Sequence, residues 1–221
     1  MNLLAIDTST ENASVALAVD GELNCKEHMG AQSHTQFILP AIDFLLAEMG
    51  VASAKLDGIV FGQGPGSFTG LRVACSIAKG LAYAHNLPLY PVSTLAALRE
   101  ALFFDKNQLS AAVEGILTII DARMNQVYWS YAATAQSSLD VEAVSFAKDV
   151  VVPGTASLCL AGVGFERYEH EFSSDISQRI VERLAIYPKA DAMIRLVQQG
   201  LVAPVEARDA MPVYIRDQVT S

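Results

Sequence analysis

The chain has 221 residues, of which 52% are hydrophobic and 18% charged, enough to bury one substantial core or two small ones. Its formal charge of -9 argues against independent binding to nucleic acid, because that affinity comes largely from Lys and Arg displacing counterions from phosphates. Cys25, Cys75 and Cys159 are scattered, without CxxC or metal spacing, and neither a basic leader nor an apolar run of membrane length is present, so a reducing, cytoplasmic setting is expected.

Leu3 to Ile6 reads as a short apolar strand, and Ala13 to Val19 and Glu22 to Glu27 flank Asp20-Gly21, a pair suited to a tight hairpin turn. Ser33 is placed to cap a helix running through Met49 and ending at Gly50. Gly58 to Phe61 is a buried strand leading into a glycine-rich turn, Leu87 to Val92 another, and Ser93 or Thr94 starts a helix through Phe103. Strands alternating with helices after an opening meander imply an α/β core of ribonuclease-H-like or actin-like order.

The glycine turn, Gly62 to Gly70, resembles a phosphate loop, in which backbone N–H groups and a helix N-terminus face an anion. It lacks the Lys-Ser/Thr pair of the Walker pattern, since Gly70 is followed by Leu71 and Arg72, and one extra residue breaks the dinucleotide fingerprint. A strand-to-helix turn capped by Ser67 or Thr69 is the simpler reading. In the helix behind it, Gly70, Ala74, Ala78 and Ala82 recur every four residues as a stripe of nearly absent side chains beside Val73, Ile77 and Leu81. Such a helix is either sandwiched in the core or half covered by another chain.

Beyond the polar stretch from Asp105 to Ser110 the opening pattern returns. Ile116 to Ile120 ends in Asp121 as Leu3 to Ile6 ends in Asp7, and Val127 to Tyr131 follows as the hairpin partner. The chain therefore reads as a degenerate internal duplication: a subdomain over 1–105 and a smaller one over 106–221, whose final segment can return to the first. Actin-like kinases place an aspartate at the end of each first strand near metal and phosphates, but Thr8-Ser9 and Ala122-Arg123 here lack the glycines a phosphate turn needs. Gly162-Val-Gly164 is either a remnant of an adenine-side turn or an ordinary strand end. Lys189 to Gln199, after Pro188 and before Gly200, is the clearest helix of the second half.

Four separated segments carry a specific resemblance: Leu3 to Thr10 with Ala13 to Leu17, Gly64 to Arg72, Ile120 to Arg123 with Val127-Tyr128, and Pro212 to Asp217. In this order they resemble the TsaB (YeaZ) family. The resemblance implies an actin-like (ASKHA, ribonuclease-H-like) duplicated fold with a truncated, degenerate second lobe. It also implies an accessory subunit that pairs with the transferase TsaD and the ATPase TsaE, self-pairs without TsaD, and meets tRNA only through that complex. TsaD attaches a threonylcarbamoyl group to N6 of adenosine 37 in tRNAs reading codons that begin with A; ATP and Mg serve the complex, and no catalytic group, metal or cofactor is expected in the isolated chain. The paired histidines at one-turn spacing that hold the transferase's metal are missing among His28, His34, His85 and His170. The same lack argues against a metallopeptidase.

The resemblance places the protein contact on two helices. On the first, Phe37, Ile38, Ala41, Ile42 and Leu45 are the expected contacts, within an apolar set too wide for one buried face and bent at Pro40. On the second they are Gly70, Val73, Ala74, Ile77, Ala78 and Leu81, with Arg72 as a contact for a nucleotide shared at the partner interface. Two competing expectations are a small actin-like phosphotransferase using Asp7 or Asp121 with magnesium, and hydrolysis by Ser67 or Cys75 with His34 or His85 as base.

Overall fold

The computed structural model describes residues 1–30, 34–104, 109–133 and 142–215. Backbone contacts divide the chain into two units, Met1–Ala97 with Pro188–Val213, and Leu98–Tyr187 with Tyr214–Ser221.

In the first unit, β1 (Leu3–Asp7), β2 (Asn12–Val19) and β3 (Glu22–Met29) form an antiparallel meander, with Asp20 and Gly21 at positive φ in its second turn. After α1 (His34–Glu48), β4 (Gly58–Gly64) pairs parallel with β1; after α2 (Phe68–His85), β5 (Leu89–Ser93) pairs parallel with β4. The sheet order is β3-β2-β1-β4-β5. Near-continuous apolar runs explain why these central strands are buried on both faces. Leu4, Ile6, Val15, Leu17, Ile59 and Phe61 meet α1 and α2 on one face. On the other, Leu3, Ala5, Ala16, Ala18 and Val60 meet α5 (Ala190–Gln198).

That helix corrects the boundary between 105 and 106, which leaves Lys189 to Gln199 with the second half. Ala190, Met193, Ile194 and Val197 form one apolar face that finds its counter-surface on the first sheet, and Ala190 N–H donates to the buried Ser14 hydroxyl at 2.9 Å. The segment beyond it stays with the same unit: Val205 exchanges backbone hydrogen bonds with Leu89, and Val213 N–H donates to the Gln63 carbonyl at 2.7 Å.

In the second unit, β6 (Gly115–Arg123), β7 (Gln126–Ala132), β8 (Ala143–Ser145), β9 (Leu158–Val163) and β10 (Ile180–Ala185) lie in the order β10-β9-β6-β7-β8. The meander is again antiparallel and the two later strands parallel, so the arrangement repeats that of the first sheet strand for strand. This is the duplicated, actin-like plan, and the abbreviation falls on the crossovers. The connection from β8 to β9 has a 3-10 turn, Ala147–Asp149, where the first unit has α1. Between β9 and β10 stand two such turns and the six-residue α4 (Ser174–Arg179) where the first unit has α2. Tyr168, Phe165, Phe172 and Ile176 supply the bulk that covers the sheet in place of full helices. On the opposite face Leu102, from the end of α3 (Thr94–Phe104), packs with Ile116, Cys159 and Ala161. The proposed cap Ser33 and the end of the closing motif, Arg216-Asp217, lie outside the described residues.

Candidate functional site

The glycine turn sets the geometry of α2. Ser67 accepts the Gly70 N–H as N-cap at 3.3 Å, and Gly64, at φ 116, takes a conformation that side-chain-bearing residues rarely adopt. The Gly64-Pro65 peptide is cis. A Cβ at Gly70 would collide with the Thr8 carbonyl, so the start of α2 lies directly against the turn between β1 and β2.

This close approach decides what the small stripe is for. Gly70, Ala74, Ala78 and Ala82 are all buried, with Ala74, Ala78 and Ala82 in the core against the sheet. Their short side chains let the helix backbone descend on β1 and β4, and they are closed to a partner. The expectation of contacts at Gly70, Ala74 and Ala78 is therefore corrected, and Ile38, Ala41, Ile42 and Leu45 of α1 fall with it, because they too are core residues of the monomer. Phe37, Val73, Ile77 and Leu81 are half-buried at the margin.

What α1 and α2 turn outward is the next row on each helix. A groove of about 470 Å³ is lined by Thr35 and Leu39 from α1 and by Phe68, Thr69, Arg72, Val73, Ser76 and Ile77 from α2. Leu39 is 52% exposed and Phe68 51%. Arg72 lies 3.7 Å from the centroid of the Phe68 ring, which gives the apolar groove one ordered cation. Phe44, 48% exposed, continues the outer face of α1 with the Lys26 ammonium 4.0 Å over its ring. Pro40 is exposed on the same helix. Of the residues expected as contacts, Arg72, Val73 and Ile77 line this groove, and Thr35, Leu39, Phe68, Thr69 and Ser76 line it without being among them. For those on α2 the signal is the size gradient around the helix: the smallest row packs on the sheet, which leaves the opposite rows for the outside.

The two strand-end aspartates are built alike. Asp7 Oδ1 accepts the Ser9 N–H at 2.7 Å, and Asp121 Oδ1 accepts the Arg123 N–H at 2.7 Å. Each stands beside a glycine at the end of the neighbouring parallel strand, Gly62 within β4 and Gly164 just past β9: a Cβ at Gly62 would come within 2.6 Å of Asp7 Oδ2, and one at Gly164 within 2.7 Å of Asp121 Cβ. Gly164 thus answers to Gly62 in the repeat, which accounts for Gly162-Val-Gly164 as a duplicated strand end.

Their surroundings differ. Asp7 is fully buried, its Oδ1 accepting the Ser9 hydroxyl at 2.7 Å as well, and burial pushes its carboxyl up to about 6 despite the two Ser9 hydrogen bonds. Asp121 pairs with the exposed Arg123 guanidinium at 3.4 Å and accepts the buried Tyr168 hydroxyl at 2.7 Å; burial first, then that hydrogen bond, pushes the Tyr168 phenol up to about 12. A carboxylate enclosed by Ser9 and Gly62 presents no open face for a magnesium–phosphate group, which weighs against the phosphotransferase expectation at Asp7.

The partners of the groups named for hydrolysis weigh against that expectation as well. Cys75 is buried, burial pushes its thiol up, and its Sγ faces the Ala210 carbonyl at 3.9 Å. His85 pairs with the Ser53 hydroxyl at 3.0 Å and His34 with the Glu11 carbonyl at 3.3 Å, while Ser67 is committed to its cap. Among the described residues no three His, Cys, Asp or Glu side chains are grouped to hold a metal ion, and no helix is long and apolar enough to cross a membrane.

Comparison with known proteins supplies the context. A family model described as TsaD, tRNA N6-adenosine threonylcarbamoyltransferase, matches residues 28–206. The tRNA threonylcarbamoyladenosine biosynthesis protein TsaB of Haemophilus influenzae is 34% identical, over 100% of this chain and 95% of its own. The Escherichia coli protein of the same name is 31% identical, over 99% and 96%. The solved structure of YeaZ from Pseudomonas aeruginosa superposes with a TM-score of 0.84 at 36% identity, covering 96% of this chain and 99% of that one.

Proposed function

The chain belongs to the TsaB (YeaZ) family, and we propose that it takes part in tRNA threonylcarbamoyladenosine synthesis as a noncatalytic scaffold that docks TsaD through the outer row of α1 and α2. The family membership supports the pathway. The observation that carries the scaffold role is the exposed groove of Leu39, Phe68, Arg72, Val73, Ser76 and Ile77, an apolar surface with one ordered cation on a helix pair whose inner rows are fully used by the core. Partner helices laid into it bury apolar area, and a carboxylate opposite Arg72 fixes their register. Binding one conformation of TsaD better than another is how such a subunit activates without touching substrate. In the same reading two copies of this chain meet through the same groove when TsaD is missing, TsaE joins the assembled pair, ATP and Mg serve the complex, tRNA is reached through TsaD, and the assembly works in the cytoplasm.

The test is size-exclusion chromatography of the chain with and without TsaD, for wild type and for Ser76→Arg, which fills the groove from an exposed position. Wild type is expected to pass from a self-associated species to a mixed complex, and the variant to remain folded and monomeric. A mixed complex formed by the folded variant at wild-type affinity would refute the assignment. Titration of the isolated chain with Mg-ATP addresses the phosphotransferase alternative, for which stoichiometric binding with turnover is the supporting result.

A further inference from the structure

The Asp7 carboxylate reaches the docking face through a short chain of contacts. Its oxygens accept the N–H and the hydroxyl of Ser9. The Ser9 carbonyl accepts the Ser67 N–H at 2.7 Å, and a Cβ at Gly66 would strike it. Thr8, between the two, donates its hydroxyl to the Gly70 carbonyl at 2.6 Å. The turn after β1 is therefore held by the aspartate on one side and holds the first turn of α2 on the other. That turn of helix carries Phe68, Thr69 and Arg72, three of the residues that line the groove.

We propose that Asp7 is a positioning residue for the docking face: its carboxylate orders Thr8 and Ser9, and these set where the first turn of α2 presents Phe68 and Arg72. The inference rests on the docking role assigned to the groove. Its physical basis is that a charged acceptor makes shorter and stronger hydrogen bonds than a neutral one, so a carboxylate holds Ser9 more tightly than an amide of the same shape. Its hydrogen bonds come from Ser9, and Gly62 lies against it; neither carries a charge, so burying the carboxylate there costs stability that a neutral group would not.

The experiment compares Asp7→Asn, Ser9→Ala and the groove variant Ser76→Arg in the full chain. Thermal midpoints, self-association by sedimentation equilibrium and affinity for TsaD by calorimetry are measured, with backbone amide shifts recorded for residues 67–72. Asp7→Asn is expected to keep or raise the midpoint, to shift those amides and to weaken both associations at least tenfold. Ser9→Ala, which keeps the carboxylate and the backbone donor, is expected to weaken them about threefold, and it carries the test if Asp7→Asn does not fold. Wild-type affinity in folded Asp7→Asn beside a loss in Ser76→Arg overturns the positioning role and leaves the groove standing. Wild-type affinity in Ser76→Arg overturns both.

Discussion

Replacing Asp7 with Asn is expected to stabilise the protein at neutral pH, and the structure gives the size of the effect. Burial moves the carboxyl from 3.8 to about 6, net of the opposing Ser9 hydrogen bonds. A shift of roughly two pKa units corresponds to about 3 kcal/mol by which the folded state disfavours the ionised form. Because the folded value lies above the unfolded one, the stability that protonation contributes is fully present below pH 3.8 and is lost as pH rises through about 6. Asn is always neutral. Its oxygen takes the two bonds that Oδ1 accepts, and its amide stands where Oδ2 lies 3.1 Å from the Ser9 hydroxyl. Urea unfolding of both proteins between pH 4 and 7.5 isolates the group, since all other titrations cancel in the difference. The variant is expected to gain up to about 3 kcal/mol at pH 7.5 and close to nothing at pH 4. A less stable variant at pH 7.5, or a gap that does not vary with pH, would refute the reasoning.

Three further outcomes follow from the same geometry. Ala78→Asp places an unpaired charge at a fully buried core position and is expected to cost several kcal/mol, so that loss of partner binding is accompanied by loss of the cooperative transition in circular dichroism. Gly70→Ala is expected to destabilise by about 2 kcal/mol or more, because its methyl meets backbone, the Thr8 carbonyl, which has no side-chain freedom to move aside; thermal unfolding checks this. Tyr168→Phe removes a hydroxyl bonded to Asp121 and should cost about 1–3 kcal/mol, with faster hydrogen exchange at the Arg123 amide as its local signature.

The contrast between Ala78 and Ser76, two residues apart on α2, shows where sequence and structure part company. A row of Gly70, Ala74, Ala78 and Ala82 is visible in the sequence, and so is its meaning as a surface for close approach. Which surface approaches is set by β1 and β4, whose contacts with α2 come from residues about sixty positions earlier in the chain and from the strand just before the turn. Periodicity assigns residues to a helix face and is silent on which neighbour covers that face. The same limit explains α5: its amphipathic pattern marks a helix, but its counter-surface lies on the first sheet, and Ser14, which binds its first turn, is 176 residues away.

Local chemistry was legible throughout. The apolar runs, the Asp20-Gly21 turn, the glycine turn with its serine cap and the recurrence of a strand ending in aspartate are short-range signals, and they prescribe the strands, the meanders and the duplicated plan by themselves. The tertiary structure alone decided that the second sheet is complete while its crossovers are short, that Asp7 is enclosed whereas Asp121 reaches Arg123, and that the outer row of α1 and α2 stays exposed while the inner rows are buried. Those outcomes depend on which apolar faces meet first and leave least area in water, a property of the whole packed chain that no window of sequence contains.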